Sequence, residues 1–347
     1  MLRNLLLVAI VGCIASACSN EIDLVDTKKE IPVIYGFLSR KDTAHYIRIE
    51  RAFGDDKISP GILAKNIDSL YYKDITVQLI RKKDNSVFTL TRVDGNNEGY
   101  VRDTGVFLNK PNYLYKINAN KINLFPNETY KLVVKRNDGT ALAEAETIVI
   151  PDMLLLEART LAGLPPRLSV QGGFRLFWNT PGNSSEILNA KIYDVKMIIE
   201  VTERFANEDK KVTLTWNIAN GYVPNPKTNS QLEPGTNTVQ YWEKDGQAFY
   251  RFLAQNLDAN TKPTRVLSSI KVRVDAAGQE LFNYIDIANI NLGITGTEVQ
   301  PTYTNIKNGY GILSSRNYFI SNKITLSGNS IDSLKNGRFT KNFGFVN

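Results

Sequence analysis

Apolar residues in this chain recur at every second position in short runs that stop at turn residues. In "AHYIRIERAF", His45, Ile47, Ile49 and Phe53 fall on one side of an extended segment, and Tyr46, Arg48 and Glu50 fall on the other. That period belongs to a half-buried strand. "ITVQLIRK" (75–82), "SVFTLTRV" (86–93) and "YLYKINA" (113–119) repeat it. In "TYKLVVKRNDGTALAEAETIVIP" two such runs meet at Asn137-Asp138-Gly139, a strong hairpin signal because glycine adopts left-handed backbone angles cheaply. No cysteine follows Cys18, so no disulfide can hold these strands and a buried core must do it.

The pattern restarts after a connection carrying Pro151, Pro165 and Pro166. "FRLFWNTPG" (174–182), "AKIYDVKMIIEVTERF" (190–205), "KKVTLTWNIA" (210–219) and "VLSSIKVRV" (266–274) read as strands, and the proline-bearing stretch 220–238 as a loop. Two segments carry helical spacing instead: 246–257, with Phe249, Phe252, Leu253 and Leu257, and 278–290, with Leu281, Phe282, Ile285 and Ala288. The end of the chain, including "IDSLKNGRF", reads as glycine-punctuated strand and loop. The expected fold is mainly β: two antiparallel sandwiches of immunoglobulin or fibronectin type, the second with one or two packed helices. The expected boundaries are an N-terminal sandwich over 31–151, a linker over 152–168 and a β-rich domain with helices over 169–347.

The amino end is of another kind. Arg3 precedes about a dozen apolar or small residues, too few for the roughly 20 that span a bilayer. A charged start, a short apolar core and small residues before a cut site make a secretory signal. Ala15-Ser16-Ala17 runs into Cys18, which resembles the bacterial lipobox, where the cysteine is acylated and becomes the mature terminus. Ile10-Val11-Gly12-Cys13 is a rival site, but cutting there leaves a very short apolar core and a mature chain starting with Ile14-Ala15. Residues 1–17 are thus expected to be leader, Cys18 the lipidated anchor to the membrane, and 18–30 a polar tether. Ser19 stands where familiar Gram-negative lipoproteins carry an aspartate for inner-membrane retention, which points to the outer membrane. The formal charge is +7, or +6 without Arg3, and dispersed; the densest cluster, Arg81-Lys82-Lys83, is followed at once by Asp84. Nucleic-acid binding needs a concentrated basic face and is not expected.

Several segments together resemble an uncharacterised family of Bacteroidetes lipoproteins known only as a domain of unknown function. They are "CSNEIDL", "IPVIYGFLSRKDTAHYIRIERAF", "NETYKLVV" with "AEAETIVIP", "FRLFWNTP" and "YTNIKNGYGILSSR". The resemblance implies an exported lipoprotein, of a kind considered alongside outer-membrane uptake systems. It supplies neither a ligand nor catalytic residues.

Chemistry is sparse. His45 is the one histidine, and it shares a strand face with Ile47 and Ile49, so a triad or zinc site has little to build on. No catalytic residues, metal site or cofactor are expected. Glu50, Asp55 and Asp56 near a strand end, and Glu280 and Asp286 on a helix, are what a carboxylate-pair hydrolase would have to draw on. Asp94, Asn96 and Glu98 offer alternating oxygens to calcium, but no complete calcium loop follows and a tight hairpin accounts for them. Trp178 is expected in the core. Trp216, Tyr241 and Trp242 flank the long loop and are the candidates for a ligand-binding surface. Asp followed by Ser or Thr and an apolar residue resembles the Bacteroidetes O-glycosylation site and marks Thr43, Ser69 and Ser333. The expectation is a lipid-anchored, non-catalytic binding or assembly module meeting a glycan, a peptide or an outer-membrane transporter. Alternatives are a surface hydrolase and a structural secretion or adhesion component.

Overall fold

The computed structural model describes residues 30–54, 57–156, 167–170, 173–179, 189–224, 239–243, 245–290 and 302–346. Cys18, the tether up to residue 29, Asp55, Asp56, most of the linker and the loop from 225 to 238 lie outside them.

The first half contributes β1 (Pro32–Leu38), β2 (Ala44–Arg51), β3 (Ile75–Arg81), β4 (Ser86–Thr89), β5 (Thr91–Asp94), β6 (Tyr113–Asn118), β7 (Thr129–Arg136) and β8 (Ala141–Ile148). β4, β3, β7 and β8 form one sheet, while β1, β2, β6 and β5 lie in another. Ile34, Leu38, Ile47, Ile49 and Ile117 from one layer meet Val77, Leu79, Leu132 and Val134 from the other. This is a two-layer sandwich. The run 86–93 is two strands rather than one. It crosses between the layers at Leu90, which is buried and whose N–H donates to Val77 O at 2.9 Å. At the Asp138-Gly139 turn, Gly139 takes φ +82° and Asp138 accepts from Thr140 N at 2.9 Å.

The second half contributes β9 (Leu154–Leu156), β10 (Arg167–Leu168), β11 (Phe174–Asn179), β12 (Ala190–Arg204), β13 (Asp209–Tyr222), β14 (Val239–Glu243), β15 (Thr264–Gly278), β16 (Tyr310–Ile320), β17 (Thr325–Leu326) and β18 (Phe345–Val346). Its helices are α1 (Gln247–Asn256), α2 (Gln279–Ile290) and α3 (Gly328–Asn336). α1 and α2 match the expected segments. β13 runs three residues into the stretch read as loop. α3 corrects the reading of "IDSLKNGRF" as strand and loop: Ser327 caps it by accepting from Ser330 N, and Ser330 and Leu334 point inward. A second core gathers Trp178, Val195, Met197, Ile199, Phe249, Leu253, Val272 and Val274.

Val149 belongs to the first core and Ile150 to the second. One sheet nevertheless runs through both, in the order β13-β12-β15-β16-β1-β2-β6-β5, with β18 beside β15. Its pairs are antiparallel along this path except at β1 and β16, which run parallel from Val33–Tyr310 to Leu38–Ser315. β16 therefore spends its first half in the first unit, where Leu313 enters the core, and its second half against β15. Side chains on β16 fix the crossing. Ser315 Oγ accepts from Ile150 N at 2.9 Å and donates to Leu38 O at 3.0 Å, and Asn317 Nδ2 donates to Pro151 O at 2.8 Å.

Candidate functional site

Where β16 passes from one unit to the other, a cleft of about 1000 Å³ opens between α2 and the outer face of the long sheet. Strand alternation builds one wall. On β15, Val272, Val274 and Ala276 face the core, so Arg273, Asp275 and Ala277 face out; on β16 the same rule turns Arg316 and Tyr318 outward. These side chains are tied into pairs. Arg273 donates to Asp275 from Nε at 2.9 Å and from Nη2 at 2.6 Å, and its guanidinium lies 4.5 Å above the Tyr318 ring. Lys196 Nζ stands 3.6 Å from the same carboxylate. Arg316 donates to Asp42 at 3.0 Å, reaching the turn after β1.

The other wall is apolar. Leu281, Phe282 and Ile285 of α2 line it, with Phe37 from the end of β1. These helix residues are only half-buried. The helix is tied to the sheet through its first turn. Asn189, at φ +63°, accepts from Gln279 N at 3.0 Å and donates from Nδ2 to Glu280 at 3.1 Å. Ser314 Oγ donates to the same Glu280 carboxylate at 2.8 Å. A negative charge in the first turn also suits the helix dipole. Tyr35 of β1 sits beside Tyr284 of α2, and partial burial, then the neighbouring hydroxyl, push its phenol up to about 12. At the mouth, Asp194 accepts from Gly221 N at 2.8 Å.

The cleft therefore offers paired charges of both signs opposite a greasy helix face. Asp42, Asp194 and Asp275 each already hold a cation or a backbone N–H, and Asp286 lines the edge. Among the described residues no group of three His, Cys, Asp or Glu gathers as a cation site. Nor is any helix there long and apolar enough to cross a membrane.

The residues expected to bind ligand lie elsewhere. Trp216 packs under α1, stacked on Phe252 at 5.6 Å and tilted against Phe249 at 6.2 Å. Tyr241 donates to Ile218 O at 3.3 Å and meets Tyr222 edge-on. Trp242 pairs with Arg175 through the backbone, and its side chain is outside the described residues. Glu50 is clamped by Arg48 at 3.0 Å and Arg102 at 2.8 Å. The oxygens considered for calcium are spent internally: Asp94 accepts from Asn96 N and Asn112 N, and Glu98 accepts from Lys116 and Tyr46. Trp178 is fully buried, as expected. Of the glycosylation candidates, Thr43 is exposed, while Ser69 and Ser333 are half-buried in helical turns.

His45 is buried on the inner face of β2, and neither ring nitrogen has a hydrogen-bond partner. Burial holds its pKa below the ordinary value, with nearby Asp42 opposing the shift and Arg316 adding to it.

The family model described as a domain of unknown function, DUF4249, matches residues 19–319. The chain belongs to this family. The DUF4249 match takes in the first core, most of the second and both walls of the cleft, and ends inside β16, ahead of the core residues Ile324, Leu334 and Phe345. No curated protein matches the chain. Among solved structures, it is similar to a cytokine receptor complex at 9% identity, covering 86% of this chain and 99% of that one, with a TM-score of 0.23. The FN1-FN3 domains of chicken CNTN1 match at 13% identity over 85% of this chain and 67% of that one, with a TM-score of 0.17. The chicken interferon gamma receptor alpha chain matches at 8% identity over 72% and 89%, with a TM-score of 0.16. Superpositions this loose transfer no residue from those proteins to the DUF4249 chain.

Proposed function

We propose that this DUF4249 chain is a lipid-anchored, non-catalytic binding module of the outer membrane in a Bacteroidetes cell, with its ligand held between α2 and the sheet. The observation that carries the reading is the cleft itself. Its volume suits a small-molecule or peptide site, and it combines an apolar wall with a few convergent polar groups. Charges of both signs opposite Leu281, Phe282 and Ile285 favour a peptide-like ligand with mixed side chains over a glycan. Tyr318, an aromatic face a sugar could use, is already covered by Arg273. The anchor is supported by the lipobox-like Ala15-Ser16-Ala17-Cys18, and capture of material for a neighbouring outer-membrane transporter fits such a placement.

Two measurements test this reading. Alkyne-palmitate labelling and fractionation should find the protein acylated in the outer membrane, and Cys18→Ala should abolish the label and release the chain. An unlabelled parent contradicts the anchor. Thermal-shift screening of purified protein against peptide and oligosaccharide libraries should give stabilising hits that Ile285→Arg removes. Hits that survive the variant contradict the cleft, and turnover lost with an Asp275→Asn variant would replace binding with hydrolysis.

A further inference from the structure

We infer that the end of the first sandwich from which the tether departs is a membrane-facing surface, resting on the lipid-anchor reading above. Strand directions collect several features at that end. β1 begins there at Pro32, which pairs with Arg51 at the close of β2, and Glu30 just before it is bound by Arg136, whose Nη2 donates at 2.7 Å. β6 runs antiparallel to β2, so the segment 95–112 ahead of Tyr113 also lies there, as do the described residues between Arg51 and β3.

These two segments pack on each other. Leu108 N donates to Ala64 O at 2.8 Å, Phe53 meets Phe107 edge-on, and Arg102 donates to Tyr71 Oη at 3.2 Å. Together they present Ile58, Ile62, Ile67, Val101, Val106 and Phe107 to solvent, with Val101 72% and both Ile62 and Val106 64% exposed. Large aliphatic side chains gathered on loops at this exposure mark a surface that something covers.

Three observations select a lipid surface as the occupant. The twelve residues from 18 to 29 can separate Cys18 from Glu30 by no more than about 40 Å, so a bilayer holding the acyl chains is within reach of this end. The opposite direction leads away: β16 and then β15 carry the chain on the order of 60 Å further, to the turn at Asn207. Exposed Lys65 and Lys110 also lie in these segments with the aliphatic groups, among five basic and six acidic residues in all over 52–74 and 95–112. Apolar side chains with lysines at their rim are the chemistry of an interfacial contact. Such a contact would not be needed to retain the protein; it would stand it upright, with the cleft facing away from the lipid.

The test uses the lipidated protein, which has no free thiol, because the Cys18 sulfur is the thioether of the anchor and no cysteine follows it. Val106→Cys, Ile62→Cys and, at the far tip, Asn207→Cys are labelled with an environment-sensitive fluorophore. Each is reconstituted into vesicles of phosphatidylethanolamine and phosphatidylglycerol containing doxyl lipid. Blue-shifted emission is expected at 106 and 62, quenched about twofold or more by the doxyl group, since interfacial side chains sit within its reach, and none at 207. A protein that fails to float with the vesicles overturns the anchor and this inference together. One that floats while 106 and 62 stay unquenched overturns this inference alone. A blue shift that depends on protein concentration and ignores the doxyl lipid also overturns it, and assigns the surface to a second copy.

Discussion

The two units start from the same alternating pattern and use it differently. In the first, strands of up to eight residues run from turn to turn, and two sheets cover each other's apolar faces. In the second, β12 and β15 each extend for 15 residues, and helices supply part of the second layer. A strand that long outlasts any single element packed on it. On the outward face of β15 its side chains stand opposite the apolar side of α2, and the cleft lies there. Ile62, Val101 and Val106, exposed aliphatic residues of the first unit, gather at the end where β1 begins, whereas the ordered charge pairs of the cleft lie at the junction. On the reading proposed above, the first unit is the base and the junction of the two holds the ligand.

The largest effect that would break this comparison is expected at Arg265. This guanidinium is fully buried and donates to Glu203 at 2.8 Å and to the carbonyls of Phe343 and Asp258 at 2.8 and 2.9 Å. Arg265→Ala leaves the Glu203 carboxylate buried and unpaired, at a cost of about 3–5 kcal/mol. Because the site touches only the second core, urea unfolding followed by exchange at β7 and at β12 should separate into two steps. A single transition lowered equally for both strands would show that the cores do not unfold apart.

Gly311 comes next. It pairs with Ile34 at φ +101°, and a Cβ there would stand 2.0 Å from Ile34 O. Gly311→Ala should cost roughly 2 kcal/mol through backbone strain and displacement. Exchange should quicken first along β1 and β16, and protection unchanged there would mean that the parallel pair does not join the units.

A smaller, pH-dependent effect is expected from His45. Its folded pKa lies below the ordinary 6.5, so the unfolded chain binds the proton first as the pH falls. Stability from this group is complete above pH 6.5 and is lost as the pH drops below that value. The urea midpoint should therefore decline from pH 7 toward pH 5, and His45→Leu should flatten that part of the profile. The smallest effect is expected at the exposed pair Lys73–Asp68, 3.1 Å apart, where Lys73→Ala should leave the midpoint unmoved.

Much of the fold could be read from the sequence because its signals are local. Alternation located β2, β3, β6 and β12, Asp138-Gly139 fixed a hairpin, and the spacing of Phe249, Phe252 and Leu253 marked α1. The side of the strand on which His45 and Trp178 fall was legible for the same reason. Leu90 was not, since a strand that changes sheets keeps its alternation through the crossing. α3 hid behind a weak signal, the Ser327 cap with Ile331 and Leu334 beyond it. The parallel pairing of β1 with β16 joins residues far apart in the chain, and no local pattern encodes it. The cleft depends on that pairing. Phe37, Asp275, Phe282 and Arg316 come from four elements, and only the assembled sheet brings them together. Trp216 flanks the long loop in sequence, but Phe249 and Phe252 of α1 pack against its ring.

Occupancy of the cleft in intact cells is the most direct test of this account. A photoreactive benzoylphenylalanine placed at Phe282, with a second at Phe205 near the distal turn as reference, would be irradiated in living cells and the protein recovered for mass spectrometry. An adduct of defined mass is expected at position 282 and absent at 205. No adduct at 282, or the same adducts at both positions, would contradict it.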